Sequence, residues 1–168
     1  MNAHLRIIGR ITTLVSLGAA VAALSTTTWA KSQESAMHAA GYFDVTLSPQ
    51  KADNPQAQAA ALTRLSIDKH YHGGIEGVSQ GEMLACGDGK QHGAYVAIEK
   101  ITATLDGRSG SFALVHRAVM IRGVPENWTV SVVPESGTAQ LAGISGTLTI
   151  TNRDGKHFYE LQYTLAEQ

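Results

Sequence analysis

Two ionisable residues stand where a folded chain ordinarily places carbon. Glu99 falls in the alternating series Tyr95, Ala97, Glu99, Ile101, Ala103, Leu105, and His116 in the series Phe112, Leu114, His116, Ala118, Met120. Residues two apart on a strand share a face, so each interrupts an otherwise apolar stripe. A carboxylate on a core-facing stripe is rare unless it is paired or hydrogen-bonded. One reading is a structural pair that pins strand register. The other is a site in which Glu99 is the base or charge stabiliser and His116 its proton partner, which makes these two the catalytic candidates. Tyr71, Tyr95, Tyr159 and Tyr163 project from similar stripes. With Glu99 and His116 they form the expected ligand-binding set.

The loop Asp106-Gly107-Arg108-Ser109 joins the two stripes. A two-residue Gly107-Arg108 turn, or a loop of all four residues, sets Glu99 directly opposite His116. An Asp106-Gly107 turn sets His116 opposite Ala97 and makes Glu99 its diagonal neighbour. Both registers keep the two side chains on one face, with backbone positions within about 8 Å.

Other groupings of reactive residues are weaker. His70-Tyr71-His72 followed by Glu76 matches the His-x-His and Glu spacing by which cupin barrels hold metals. The bracketing glycines and a second half-motif are missing. His70 and His72 also share a face with Ser66 and Asp68, opposite Leu65, Ile67 and Tyr71, so they are expected on a wet outer face with no metal and no cofactor. No Gly-x-Ser-x-Gly elbow and no phosphate loop is present, since Gly107 to Gly110 falls in a hairpin. Cys86 is the single cysteine. It excludes an internal disulfide and reads as a small buried hydrophobe. His92 and His157 adjoin turns and are expected at the solvated surface, while Tyr42, Phe43 and Trp128 pack or sit at a rim.

Strands must carry these residues. Period-two alternation and Gly-centred turns dominate from Gly41 onward, with no convincing helical period. Eight strands are expected near 41–48, 62–72, 75–86, 93–106, 109–122, 127–134, 139–151 and 156–165. Turns at Gly73-Gly74, Gly87-Asp88-Gly89, Asp106-Gly107, Ser136-Gly137 and Asp154-Gly155 separate them. Pro125 ends the fifth strand. An Asp154-Gly155 turn would place Leu148 opposite Leu161 and Ile150 opposite Tyr159. The connection from Pro49 to Ala61 reads either as a mobile loop or as one helical turn after Pro55. Eight short-linked antiparallel strands close into a barrel that leaves no exposed edge, and Gly77, Gly81, Gly143 and Gly146 would permit its coiling. A two-sheet sandwich is the competing architecture.

The 168 residues suffice for one domain with a core. Hydrophobic residues make up 43% and charged residues 16%, which excludes a disordered chain. Thirteen basic residues against 14 acidic, with no basic patch, argue against nucleic acid as partner. Arg6 and Arg10, the charge-free run from Ile11 to Leu24 and the small-residue ending at Ala30 have the layout of a signal peptide over residues 1–30. That run is shorter than a spanning helix needs, so no stable membrane span is expected after cleavage. The mature chain then begins at Lys31, with a flexible segment over 31–40 and the barrel over 41–168, in the periplasm or secreted. A homo-oligomer is compatible with this reading.

Several stretches carry a family likeness. They are Gly41-Tyr-Phe-Asp-Val, His72-Gly-Gly-Ile-Glu-Gly-Val-Ser-Gln-Gly-Glu-Met-Leu84, Gly93-Ala-Tyr-Val-Ala-Ile-Glu99, Gly107-Arg-Ser-Gly-Ser-Phe-Ala-Leu-Val-His116, Ser136-Gly-Thr-Ala-Gln-Leu-Ala-Gly-Ile-Ser-Gly-Thr-Leu148 and Asp154-Gly-Lys-His-Phe-Tyr159. In this order they resemble a bacterial family of domains of unknown function, number 3224. The resemblance runs from about Gly41 to Leu165. It implies a fold similar to the allene oxide cyclase barrel, eight antiparallel strands around an apolar interior, but not that activity. Three functions fit: a protein binding a small apolar or amphipathic molecule in the barrel, an isomerase or cyclase using Glu99 and His116, or a structural module with a filled core.

Overall fold

A computed structural model describes residues 36–88 and 91–166. The expected signal peptide and the segment up to Ser35 lie outside the described residues. The chain forms eight strands: β1 (Met37–Gln50), β2 (Thr63–Gly73), β3 (Ile75–Gly87), β4 (His92–Leu105), β5 (Arg108–Ile121), β6 (Val124–Val132), β7 (Ser145–Arg153) and β8 (Lys156–Thr164). Each pairs antiparallel with the next and β8 pairs with β1, which closes the barrel and rules out the sandwich. The first strand begins at Met37, so residues 37–40 belong to it, with Ala39 buried opposite Leu161.

Antiparallel order sends the connections alternately to two ends. The turns after β2 and β4, the long segment after β6 and the two ends of the described chain share one end. The connections after β1, β3, β5 and β7 share the other. The first end is packed shut. Ile75, Leu105, Leu141, Ile144 and Tyr163 are each at most 2% exposed there, in a core that continues through Phe112, Leu114, Tyr159 and Leu161. Two tyrosine hydroxyls latch it: Tyr163 donates to the Asp106 carboxylate at 2.7 Å, and Tyr159 accepts from the Ile75 N–H at 2.7 Å.

The turn chemistry sets the register. Asp106 and Gly107 both have positive φ, 46° and 82°, so the β4–β5 hairpin turns on these two residues and Leu105 faces Arg108. Asp154 and Gly155 do the same between β7 and β8, which sets Leu148 opposite Leu161 and Ile150 opposite Tyr159 as expected.

Elsewhere the expectations need correction. The seventh strand starts at Ser145, not near residue 139, and Gly143 precedes it. Residues 139–141 make a single 3₁₀ turn that drives Leu141 into the closed end. The preceding loop serves β5 with side chains: Ser136 Oγ accepts from the Ala113 N–H, and Thr138 Oγ1 from the Ser111 N–H. Pro125 lies inside β6, opposite Met120, rather than ending the fifth strand. Between β1 and β2 the open choice resolves as a helix, α1 (Pro55–Ala60), with Pro55 in its first turn and the Asn54 side chain accepting from the Ala57 N–H at 2.8 Å. Cys86 is exposed, because even-numbered residues of β3 point outward. No helix among the described residues is long and apolar enough to cross a membrane.

Candidate functional site

Glu99 has no solvent exposure, yet its carboxylate has four partners. Ser79 Oγ donates to Oε2 at 2.6 Å. The other oxygen, Oε1, accepts from Lys69 Nζ at 2.8 Å, His116 Nε2 at 2.9 Å and the Tyr71 hydroxyl at 3.1 Å. An ionised carboxylate only accepts, so the shared proton sits on His116 Nε2. Burial by itself would raise the Glu99 pKa. The His116 hydrogen bond and the Lys69 charge outweigh it and hold the group at about 2. Lys69 is pulled the other way: burial lowers its pKa against the attraction of Glu99. Burial, then the Glu99 charge, raises the Tyr71 phenol well above its ordinary value.

Four strands supply this cluster by simple alternation. Lys69 and Tyr71 come from β2, Ser79 from β3, Glu99 from β4 and His116 from β5. Lys69 pairs with Ser79, and Gly81 pairs with Glu99. His116 pairs with Ala97, which makes it the diagonal neighbour of Glu99 and selects the Asp106-Gly107 alternative among the two registers. Gly81 is required by this geometry, because a Cβ there would lie 2.1 Å from the Ile98 carbonyl oxygen and 2.6 Å from Glu99 Cα. Lys69 also sits 4.6 Å from the centre of the Phe43 ring, whose far neighbour is His157, stacked at 5.2 Å. His157 is therefore half-buried on an inward face and not at the open surface.

Of the expected set, Glu99, His116 and Tyr71 meet. Tyr95 is half-buried on the same inner stripe, nearer the open end, where burial raises its phenol pKa and the neighbouring Trp128 side chain opposes that shift. Tyr159 and Tyr163 point toward the closed end, where their hydroxyls hold turns. Sequence reasoning missed Lys69 and Ser79. Lys69 shares its parity with Ile67 and Tyr71, which was the available signal.

The inner wall changes character along the barrel. Toward the end that carries α1, inward-facing Val45, Leu65, Met83, Met120 and Ile150 are only half-buried, and Leu47 is 45% exposed. Leu47 is inward because it pairs with buried Ile67. The Glu99 cluster thus lies beneath a ring of wetted apolar side chains. Among the described residues no buried side-chain nitrogen or oxygen lacks a hydrogen-bond partner. Among the described residues His116 Nδ1 has no hydrogen-bond partner, so it is reached by solvent, although the residue as a whole is only 4% exposed.

His70 and His72 project outward, His72 between the carboxylates of Asp44 and Glu76 at 3.7 and 3.8 Å. The outer face also differs from the wet surface that alternation suggests. Leu84, Val96, Ile98 and Val115 are 40–61% exposed and line a shallow groove of about 480 Å³ beside Arg64 and Glu82.

Known proteins share this barrel. The family model described as "Protein of unknown function (DUF3224)" matches residues 39–163. A crystal structure of a protein with unknown function from that family, from Shewanella oneidensis MR-1, is 36% identical to this chain. It superposes with a TM-score of 0.71, covering 80% of this chain and 100% of that one. No curated protein matches.

Proposed function

This chain belongs to the DUF3224 family, whose description assigns no activity, and from the interior of the barrel we propose that it binds a small amphipathic molecule. The molecule enters at the α1 end. Its apolar part lies against Leu47, Leu65, Met83 and Met120, and its polar end reaches toward His116 Nδ1. The observation that carries this reading is the exposure of large apolar side chains on an inward face above a nearly sealed polar floor. A barrel whose core were simply filled would bury these residues, as the opposite end does.

The floor suits binding better than proton abstraction. Glu99 accepts four hydrogen bonds, and its pKa near 2 makes it a weak base at neutral pH. Its role in this reading is to hold the Lys69 ammonium and the His116 imidazole in place. The signal-peptide layout of residues 1–30 favours the periplasm or the cell exterior, where an amphipathic small molecule would be met in water or at a membrane surface.

The test is displacement of an environment-sensitive naphthalene dye by decan-1-ol, measured by fluorescence. Met120→Trp, which narrows the open end, should weaken dye and alcohol binding at least tenfold. Ile98→Gln, on the outer groove, should leave both unchanged. Loss of binding in Ile98→Gln with retention in Met120→Trp would move the ligand to the outside and overturn the reading.

A further inference from the structure

Lys69 is the one buried lysine among the described residues, since Lys51, Lys100 and Lys156 are all exposed. Its surroundings are unusual for a purely structural cation. An arginine would match a carboxylate with two parallel donors. Lys69 instead gives one short hydrogen bond to Glu99 Oε1 and a long one, 3.4 Å, to the Tyr71 oxygen, and turns otherwise toward the Phe43 ring. It pairs in register with half-buried Val45, and the next inward residue of β1 toward the open end is the exposed Leu47. A continuous apolar wall therefore runs from solvent to the amine.

We propose that Lys69 takes apolar carbonyl compounds, aldehydes first among them, as a protonated imine with Glu99 as its fixed counterion. This rests on the amphiphile reading and names the chemistry of the polar end. The ammonium loses one proton to water at the open end, and the neutral amine adds to the carbonyl carbon. The C–O bond of the carbinolamine then breaks as its hydroxyl takes up a proton and leaves as water. Aldehyde plus Lys69 ammonium thus gives protonated imine plus one water, with no net proton released and no change of oxidation state. The product nitrogen keeps one N–H, which retains the hydrogen bond to Glu99 Oε1, so the buried carboxylate never loses its countercharge. Burial favours the first step by lowering the hold of Lys69 on its proton.

The experiment treats the full chain with decanal at neutral pH, traps any imine with cyanoborohydride, and locates the added decyl group by intact mass and peptide mapping. The expected result is one adduct, on Lys69, with excess decan-1-ol suppressing it. In Lys69→Arg, which keeps a cation beside Glu99, the adduct should disappear while urea unfolding stays cooperative, and in Ile98→Gln, on the outer groove, both the adduct and the displacement of dye by decan-1-ol should persist. Decyl groups spread over Lys51, Lys100 and Lys156, with Lys69 unmodified in a protein that binds decan-1-ol, would overturn the imine and leave the amphiphile reading standing. Failure of both decanal and decan-1-ol to enter would overturn both.

Discussion

At Glu99 a single carboxylate answers for four side chains, and its removal unbalances all of them. Its pKa is depressed from 4.5 to about 2, so the unfolded chain binds more protons between those values. Stability from this group is therefore fully present above about pH 4.5 and is lost as pH falls through about 2, a contribution on the order of 3 kcal/mol. Glu99→Gln should show a flatter stability curve than the parent across that window, measured by urea unfolding at several pH values. The same variant should shift the imidazole ¹⁵N resonances of His116, because Nε2 loses its anionic acceptor. Unchanged resonances would mean that the pair does not form in solution. Lys69→Met removes the countercharge of a buried acid and should cost about 3–5 kcal/mol, well above the cost of Lys69→Arg. At this scale Glu99, His116 and Tyr71 were legible, because each broke or extended an apolar stripe. Lys69 obeyed the same parity but went unread, since a strand lysine is ordinarily placed outward. Ser79, small and flanked by Gly77 and Gly81, broke no apolar stripe.

At the scale of elements the barrel depends on turns and on one tight strand pair. Gly107 and Gly81 separate two uses of glycine. Gly107 has φ +82° and open space where a methyl would sit, whereas a methyl at Gly81 would be pushed into the backbone of β4. Gly107→Ala should thus cost about 1 kcal/mol from backbone strain alone. Gly81→Ala should cost more, about 2–3 kcal/mol, because β3 and β4 must part and Glu99 must move. Chemical denaturation of the two variants checks the order, and an equal or reversed ranking would remove the argument for close approach at Gly81. The Asp154-Gly155 hairpin was readable to the residue, since that dipeptide supplies two positive φ values, whereas the loop from Asp106 to Ser109 left two registers open because Gly107-Arg108 could also turn. The start of the seventh strand was not readable. Ala139, Leu141 and Gly143 alternate like a strand, but the fold needs Leu141 as a plug at the closed end. The hydroxyls of Ser136 and Thr138 take over the backbone hydrogen bonds that a longer strand would have made.

For the whole molecule, the difference between the two ends of the barrel matters most. Eight alternating strands predicted closure, and closure followed, but alternation reports only which side a residue faces. It does not report how deep a residue lies along the axis, so Tyr95 near the open end and Tyr163 at the sealed end looked alike in sequence. The central claim is that the open end admits an amphipathic molecule down to the Glu99 floor. The most direct measurement is methyl NMR of the protein titrated with decan-1-ol. The account predicts shifts at the methyls of Met83, Met120 and Leu47 and at the His116 ring, with Ile75 and Leu105 at the closed end unmoved. Shifts confined to Ile98, Val96 and Val115 on the outer face, or no shifts at saturating alcohol, would contradict it.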